Sequence, residues 1–267
     1  RAANRKEGLS GLPTGFADLD KITSGWQNSD LVILAARPAM GKTAFALSMA
    51  RNIAIEQSIP LAFFSLEMSK VQLMNRLISN ICEIKSEKIR NGDLANYEWA
   101  QLDSRIKDVY GKPLYLDDTP SLSVFELRTK ARRLVREKNV GVIMIDYLQL
   151  MTAEGRSESR QQEISKLSRY LKLLAREMDC PVLVLSQLSR APELRTDHRP
   201  MLSDLRESGS IEQDADMVIF LYRDDYYNEE SDKPNVCEVS IAKHRNGETA
   251  RRDLTWVERY TKFSDMV

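Results

Sequence analysis

The sequence contains few of the residues that build metal centres and disulfide frameworks. It has three cysteines and two histidines in 267 residues. The cysteines, Cys82, Cys180 and Cys237, lie far apart, and no CxxC or CxxH spacing occurs. A structural zinc site and a disulfide scaffold are therefore not expected. Scattered single cysteines are typical of thiols in a reducing cytosol, which predicts a cytoplasmic protein.

Long apolar runs and a surplus of charge are missing as well. No run approaches the ~20 apolar residues that cross a bilayer, so no membrane association is expected. Lys and Arg number 39 and Asp and Glu also number 39. A net charge of zero excludes binding of nucleic acid by bulk positive charge, but it is compatible with a local basic patch. The chain begins at Arg1 rather than at Met, and we expect it to be part of a longer or processed protein.

What the sequence does contain is an alternation of apolar runs and amphipathic segments. Continuous apolar runs predict strands that are covered on both faces, at 31–36, 61–65, 140–145, 181–186 and 217–222. Helical periodicity predicts helices at 16–23, 43–55, 70–81, 97–110, 123–138 and 161–178. Together these patterns predict an α/β fold with a mostly parallel twisted sheet and helices on both faces.

The two ends of the chain have a different character from this regular middle. Residues 1–30 are polar and rich in turns, and we interpret them as an amino-terminal arm. Segments 238–243 and 251–256 flank Asn246-Gly247, a dipeptide that favours a hairpin turn. No internal linker interrupts residues 31–267, which predicts that they form one domain.

The strongest local motif is Ala36-Arg-Pro-Ala-Met-Gly-Lys-Thr43, between a predicted strand and a predicted helix. Backbone N–H groups at the start of a helix bind anions, and the helix dipole adds to this attraction. Glycine lets the backbone approach phosphate, lysine brings a positive charge to the β- and γ-phosphates, and threonine can bind Mg²⁺. The motif therefore predicts a phosphate-binding loop for ATP and Mg²⁺, although Ala36 stands where the general pattern has Gly. Its predicted nucleotide contacts are Ala39, Met40, Gly41, Lys42, Thr43 and Ala44.

Polar residues near the ends of three predicted strands are candidates for the chemistry. Asp146 is expected to hold Mg²⁺ together with Thr43, because a carboxylate at the carboxyl end of a parallel strand points into the ligand crevice. If the strand before Glu67 adjoins the strand of the phosphate-binding loop, Glu67 is the leading candidate for the general base. A helix acid favoured by the dipole is the other interpretation of Glu67. Gln187 ends a strand and could sense the γ-phosphate.

Seven short segments, in order along the chain, resemble the RecA-like carboxyl-terminal ATPase domain of the replicative DNA helicases of the DnaB family. They are Gly11–Phe16, Ala36–Thr43, Ser65–Met68, Ile145–Leu150, Ser186–Arg190, Asp204–Gln213 and Ala242–Gly247. The resemblance implies a RecA-like P-loop NTPase fold and ATP hydrolysis that drives translocation on single-stranded DNA and duplex unwinding in replication. It also implies a homo-hexameric ring, usually with an amino-terminal collar domain, and a primase and a helicase loader as partners.

The resemblance also implies roles for individual residues. Lys42 and Thr43 would bind phosphate and Mg²⁺, and Asp146 would support the metal ion. Glu67 would polarise the attacking water, and Gln187 would couple the nucleotide state to DNA. These roles agree with those that phosphoryl-transfer chemistry requires.

Arg245, with Lys243, resembles the arginine finger that reaches into the ATP site of a neighbouring subunit. A guanidinium there would stabilise the charge of the transition state. From the residues alone, the interpretation of Lys243 and Arg245 as a solvated hairpin tip stays open.

Two loops are candidates for contact with DNA. By the resemblance, Arg206, Glu207 and Gly209 contact the DNA backbone, which requires no reading of bases. Glu207 cannot attract phosphate by its charge, so it would orient Arg206 or donate through its backbone. The charges of the other loop, 154–160, nearly cancel, and a solvated loop is an open interpretation of it.

Two further functions remain open at this level. One is a RecA-like recombinase, and the other is an ATP-gated DNA clamp or loader that uses ATP as a switch. The segment between Glu67 and Asp146 and the hairpin 243–247 favour the helicase over the recombinase. The presence of Glu67, Asp146 and a candidate finger together favours ATP turnover over switching.

Overall fold

The computed structural model describes residues 8–153 and 159–266, with only the backbone at residues 206–208. Within this part of the chain, the strands form one nine-stranded sheet. They are β1 (Leu31–Ala36), β2 (Leu61–Ser65), β3 (Leu114–Asp117), β4 (Val142–Asp146), β5 (Val182–Gln187), β6 (Met217–Tyr222), β7 (Val236–His244), β8 (Ala250–Val257) and β9 (Lys262–Asp265).

The helices alternate with the parallel strands, as the sequence pattern predicts. They are α1 (Ala17–Thr23), α2 (Lys42–Ala50), α3 (Lys70–Cys82), α4 (Ser86–Asn91), α5 (Asn96–Ile106), α6 (Val124–Lys138), α7 (Arg160–Met178), α8 (Gly209–Asp214) and α9 (Asp224–Tyr227). Ser69 and Ser123 cap α3 and α6 by accepting a hydrogen bond from the backbone N–H three residues later. Within the described ranges, no helix is both long enough and apolar enough to span a bilayer.

The sheet has the order β3-β2-β4-β5-β1-β6-β7-β8-β9. The pairs from β3 to β6 are parallel, and the pairs from β6 to β9 are antiparallel. The strand β1 lies between β5 and β6, near the centre of the sheet. The carboxyl ends of the six parallel strands therefore share one edge, where open α/β sheets bind their ligands.

Helices cover both faces of the sheet. Val32 and Leu34 pack with Phe45 of α2 on one face, whereas Leu31 and Ile33 pack with residues of α6, α7 and α8 on the other. A strand that is buried on both faces has no position for a polar side chain, which explains the continuous apolar run of β1. The predicted α/β class with a mostly parallel sheet is confirmed.

The carboxyl-terminal part of the sheet is longer than the sequence pattern indicates. The predicted hairpin is present, since β7 and β8 pair in antiparallel fashion. The strand β9 follows it and was not predicted. Only Phe263 of its four residues is fully buried, so the strand has too short a pattern to be recognised. The helix expected over 43–55 also changes at Arg51, where a π-helical segment, Arg51–Glu56, continues α2.

The stretch before β1 packs onto the same core. The side chains of Phe16, Leu19 and Trp26 are buried, and the ring of Phe16 stacks on Phe45 with 5.4 Å between the centroids. On the other side of Phe45, the ring of Phe263 meets it edge-on at 5.3 Å. The division of the chain at residue 30 into an arm and a motor domain stays a prediction.

Candidate nucleotide-binding site

The loop between β1 and α2 has the backbone that a phosphate-binding loop needs. Gly41 has a φ of 89° and precedes the first residue of α2, and Ala39 has a φ of 66°. A Cβ atom at Gly41 would lie 2.9 Å from the Phe263 ring, so a side chain there would add a clash to the backbone strain. The first N–H groups of α2 lack partners within the helix, as in other anion-binding loops.

A cleft of about 540 Å³ opens at this loop, on the edge formed by the carboxyl ends of the parallel strands. Its lining residues are Arg37, Pro38, Ala39, Gly41, Lys42, Thr43, Ala44, Glu67, Arg76, Ser86, Tyr147, Gln187, Trp256, Glu258 and Thr261. Five of the six predicted nucleotide contacts are among them. The sixth, Met40, buries its side chain in the core, and its N–H donates to the Arg37 carbonyl at 3.4 Å.

The two predicted metal ligands meet in the structure. The hydroxyl of Thr43 donates to Oδ2 of Asp146 at 2.7 Å. The other carboxylate oxygen, Oδ1, is buried and has no hydrogen-bond partner. Burial raises the pKa of Asp146, against the opposing effects of the Thr43 hydrogen bond and the Lys42 charge. A buried carboxylate oxygen without a partner beside a hydroxyl is a donor set that suits a small hard cation.

The ammonium group of Lys42 lies 4.9 Å from the centroid of the Tyr147 ring. Burial lowers the pKa of Lys42, whereas the nearby carboxylates of Asp146 and Glu67 raise it. The lysine is therefore held in the cleft between an aromatic face and two acidic groups. Phosphate groups entering the cleft would add negative charge next to it and favour its charged form.

Glu67 lies at the cleft, but the strand that carries it has a different neighbour from the one expected. The strand before it, β2, does not adjoin β1, because β4 and β5 lie between the two. The premise of adjacency was wrong. Glu67 nevertheless lines the cleft, since β2 pairs with β4 and brings Ser65 opposite Asp146. The carboxylate of Glu67 is exposed to solvent there, which suits a group that would act on a water molecule.

Gln187 ends β5, directly beside the end of β1, and its side chain is exposed at the cleft. Its backbone is fixed by a residue that sequence reasoning did not single out. Oε1 of Gln149 accepts from the Gln187 N–H at 3.1 Å, and Nε2 donates to the Gln187 carbonyl at 3.1 Å and to Oγ of Ser186 at 3.0 Å. Gln149 follows β4 by three residues and so joins the ends of β4 and β5.

Sequence reasoning did not single out several further residues of the cleft. Arg76 lies on α3, and Tyr147 follows Asp146. Trp256 lies near the end of β8, and Thr261 directly precedes β9. Trp256 Nε1 and Thr261 Oγ1 are buried without a hydrogen-bond partner. No local pattern marks Trp256 and Thr261, since only the antiparallel end of the sheet carries residues 256–261 to the loop.

Lys243 and Arg245 lie at the opposite edge of the sheet from the cleft. The end of β7 pairs with the start of β6, so His244 lies opposite Met217. The backbone N–H of Arg245 donates to the Asp216 carbonyl at 2.8 Å. A strand as long as β1 spans roughly 20 Å, so the Arg245 side chain cannot reach the cleft of its own chain.

The candidate DNA-contacting residues fall partly outside the described side chains. Arg206 and Glu207 lie on a 3₁₀-helical segment, Leu202–Ser208, and their side chains are not described. Gly209 begins α8, and its backbone is exposed. Residues 154–158 of the other loop lie outside the described residues. The remaining arginine of that loop, Arg160, pairs with Glu163 and the Gln149 carbonyl.

Comparison with known proteins extends the resemblance to the whole chain. The model of the family "DnaB-like helicase C terminal domain" matches residues 11–265. The chain is 51% identical over 264 residues to "Replicative DNA helicase DnaB" of Geobacillus stearothermophilus. It is 50% identical over 264 residues to "Replicative DNA helicase DnaC" of Bacillus subtilis (strain 168). Each alignment covers 98% of this chain and 58% of the relative, so the chain spans little more than half the length of these proteins.

Two solved structures superimpose on nearly all of the chain. One, described as an "ATPase Domain", has a TM-score of 0.93 and 43% identity, and the match covers 97% of this chain and 92% of that one. "The Structure Of A DnaB-Like Replicative Helicase And Its Interactions With Primase" has a TM-score of 0.92 and 43% identity, and the match covers 97% of this chain and 62% of that one. The expected RecA-like ATPase fold is confirmed by these superpositions. The matched proteins are described as helicases or as an ATPase domain, and none of these four as a recombinase.

Proposed function

This chain belongs to the family of DnaB-like helicases, and from that premise we propose that it is the ATP-hydrolysing motor of a replicative DNA helicase. It would couple ATP hydrolysis to translocation on single-stranded DNA and to duplex unwinding in the cytoplasm. The observation that carries the proposal is the pairing of Thr43 with Asp146 at 2.7 Å, beside an Asp146 oxygen that is buried and unpartnered.

The residues of the cleft fit ATP and Mg²⁺. The loop 39–44 would bind the phosphates through backbone N–H groups, and Lys42 would place its charge beside them. Thr43 and Asp146 would hold Mg²⁺, directly or through water. When bound, Mg²⁺ supplies positive charge that neutralises the β- and γ-phosphates.

Glu67 is proposed to orient and polarise the attacking water. It is an exposed carboxylate of the cleft, and it lies close enough to Lys42 to affect the pKa of the lysine. Because water must approach the γ-phosphate from the solvent side, an exposed carboxylate is well suited to this task. Gln187 is proposed to sense the γ-phosphate, with Gln149 fixing the strand end that carries it.

Arg245 and Lys243 are proposed to act on the ATP of a neighbouring subunit. Each chain presents a nucleotide cleft at one edge of its sheet and these two basic residues at the other. A site is then complete only where the two edges of different subunits meet. This arrangement supports a homo-oligomer of identical head-to-tail contacts, which we propose to be a hexameric ring.

DNA is proposed to contact Arg206, Glu207 and Gly209. A relative of known structure is described with interactions with primase, and we propose a primase and a helicase loader as further partners of the protein that contains this chain.

The first experiment measures the steady-state rate of ATP hydrolysis per subunit against protein concentration, with and without single-stranded DNA. We expect the rate to rise as subunits associate, and to rise again with DNA. Sedimentation of the same samples reports their assembly. A slow rate that is independent of DNA in assembled samples would contradict the motor and indicate an ATP-gated switch.

A further inference from the structure

The edge of the sheet that carries Arg245 is built around one buried carboxylate, that of Asp216. Asp216 lies between α8 and β6, and 3% of its surface is exposed. Its Oδ2 accepts the backbone N–H of Leu31 at 2.8 Å, and its own N–H donates to the Leu31 carbonyl at 2.9 Å. The carboxylate is therefore fixed to the first residue of β1, the strand that leads to the phosphate-binding loop.

Each oxygen of this carboxylate contacts a different cation. Nζ of Lys172 lies 2.5 Å from Oδ2 and also donates to the Ser29 carbonyl at 2.8 Å. Nη1 of Arg245 lies 3.0 Å from Oδ1. Lys172 thus contacts the oxygen that the Leu31 N–H already fixes, whereas Arg245 contacts the outward oxygen.

The guanidinium of Arg245 is held but not buried. Nη2 donates to the Gln213 carbonyl at 3.2 Å, and the backbone N–H is fixed by the Asp216 carbonyl. Nearly half of the side-chain surface, 49%, remains exposed. A guanidinium has five N–H donors, which is more than these contacts use, so its outward face can still bind an anion.

Cations and carboxylates both surround Arg245 at this edge of the sheet. The cations are Lys172, Lys243 and Arg245, and the carboxylates near them are those of Asp30, Glu212, Asp214 and Asp216. The ammonium of Lys243 donates to the Ala215 carbonyl at 2.7 Å, next to Asp216 in the chain. Asp216 therefore fixes the direction of Arg245, and Lys243 is held beside it by the neighbouring carbonyl.

We propose that Asp216 is the positioning residue for Arg245, holding the guanidinium outward in the geometry in which it meets the ATP of the neighbouring subunit. The inference rests on the proposed role of Arg245. An arginine whose rotamer is already fixed loses less conformational freedom when it docks on a phosphate, and catalysis gains from such preorganised charge.

The test compares three variants in associated samples: Asp216→Asn, Arg245→Ala and, as the matched control, Lys172→Met. Asparagine keeps an acceptor for the Leu31 N–H but removes the charge that holds Arg245. The control removes the other cation of the same carboxylate and leaves the contact with Arg245. Removal of an arginine finger costs 10³-fold or more in kcat where it has been measured. We expect Asp216→Asn to lower kcat by about tenfold with an unchanged KM for ATP, and Lys172→Met to leave kcat within about twofold of the parent.

Mixed assemblies separate positioning from a structural defect. Glu67→Ala subunits lack the proposed base but keep Arg245 and Asp216. Mixed with Asp216→Asn subunits, they should restore hydrolysis, because an intact finger then faces an intact cleft. Differently tagged subunits report co-assembly by pull-down.

The outcomes distinguish a failure of the role proposed for Arg245 from a failure of the role proposed for Asp216. If Arg245→Ala with Glu67→Ala gives no recovery in co-assembled mixtures, the proposed action of Arg245 between subunits fails. If the mixture of Arg245→Ala and Glu67→Ala does recover hydrolysis, two results overturn the positioning role of Asp216. One is a kcat of Asp216→Asn equal to that of the parent, and the other is no recovery of hydrolysis when Asp216→Asn is mixed with Glu67→Ala. The positioning role is also overturned if Lys172→Met loses as much kcat as Asp216→Asn.

Discussion

At the scale of the residue, the cleft is defined by charged groups that the fold buries before any ligand arrives. Asp146 keeps one oxygen unpartnered, and the half-buried Lys42 lies beside the Tyr147 ring. Buried charges without full pairing destabilise a fold. Their presence together at one strand edge is therefore a mark of function, since a purely structural role would not favour it.

Replacing Lys42 by Ala should abolish ATP hydrolysis while the fold is retained. The variant loses the charge proposed to lie beside the phosphates, which should lower the rate by roughly 10²-fold or more. Because burial lowers the pKa of this lysine, its removal relieves a cost, and the melting temperature should stay equal or rise. Lys21→Ala, whose side chain is 73% exposed, is the control. A Lys42→Ala protein that hydrolyses ATP normally would refute the phosphate-binding loop.

Asp30 should make stability depend on pH. Burial, together with the charge of Asp216, raises the pKa of Asp30 from 3.8 to about 6. Since the folded pKa lies above the unfolded one, the free energy of unfolding falls as pH rises from about 4 to about 6 and stays lower above. Asp30→Asn should remove this fall and stabilise the protein at pH 7.5 by on the order of 1 kcal/mol.

Urea unfolding at pH 4.5 and 7.5 checks this expectation. Asp103→Asn, at a side chain that is 78% exposed, serves as the control. It should leave the free energy of unfolding unchanged at both pH values. If Asp30→Asn changed the free energy of unfolding by the same amount at pH 4.5 and at pH 7.5, the result would count against a raised pKa of Asp30.

At the scale of the element, the antiparallel end of the sheet supports the phosphate-binding loop. Phe263 of β9 lies against Gly41 and packs on Trp256 of β8, with 4.6 Å between the centroids. The loop thus packs against residues that lie more than 200 positions away in the chain. This contact explains how a four-residue strand with a single large buried side chain becomes part of the candidate nucleotide site.

Phe263→Ala should lower both stability and affinity for ATP. Removing a ring that is 2% exposed leaves a cavity next to Phe45 and costs about 3–4 kcal/mol of unfolding free energy. The loop at Gly41 also loses the ring that it packs against, so KM for ATP should rise. Phe125→Ala, at a side chain that is 62% exposed, should change stability by less than about 0.5 kcal/mol. A folded Phe263→Ala protein with the ATP affinity of the parent would remove β9 from the site.

Local patterns predicted the elements whose characteristic residues are neighbours in the sequence. The apolar run of β1 and the Gly-Lys-Thr sequence after it are contiguous, and each was recognisable. The order of the strands was not, because nothing in the sequence states which apolar run pairs with which. That is why the adjacency assumed for Glu67 was wrong although its place in the cleft was right.

Residues that act through long-range contacts escaped sequence reasoning for the same reason. Gln149, Asp216 and Trp256 are ordinary residue types in ordinary surroundings along the chain. Their importance comes from the partners that the sheet brings to them, namely the end of β5, Arg245 and the loop at Gly41. Only the tertiary structure contains that information.

At the scale of the whole molecule, a neutral chain must concentrate its basic residues to hold DNA. The resemblance assigns that role to Arg206, whereas Arg133 on α6 is 77% exposed and pairs with Glu137 one helical turn away. Backbone contacts predict binding that depends on salt and not on base sequence. The two arginines therefore form a matched pair for an experiment.

Arg206→Ala should weaken binding of single-stranded DNA similarly for all base sequences. Loss of one phosphate contact should lower the slope of log affinity against log salt by about one. Arg133→Ala should leave both affinity and slope unchanged. Fluorescence anisotropy with labelled oligonucleotides at several salt concentrations measures both. An equal effect of the two variants would mean that general charge, rather than this loop, holds DNA.

The aromatic stack around Phe45 has a consequence for the timing of protein synthesis. Phe45 lies between Phe16 and Phe263, and the backbone N–H of Ala17 donates to the carboxylate of Asp265 at 3.1 Å. The helix that follows the phosphate-binding loop is thus enclosed by residues that precede it and by residues more than 200 positions after it in the sequence. Domains are completed during translation only when their last contacting segment has left the ribosome. A nascent chain that ends before β9 would lack Phe263 beneath the loop, so the proposed turnover of ATP is expected only after residue 263 has been made and folded.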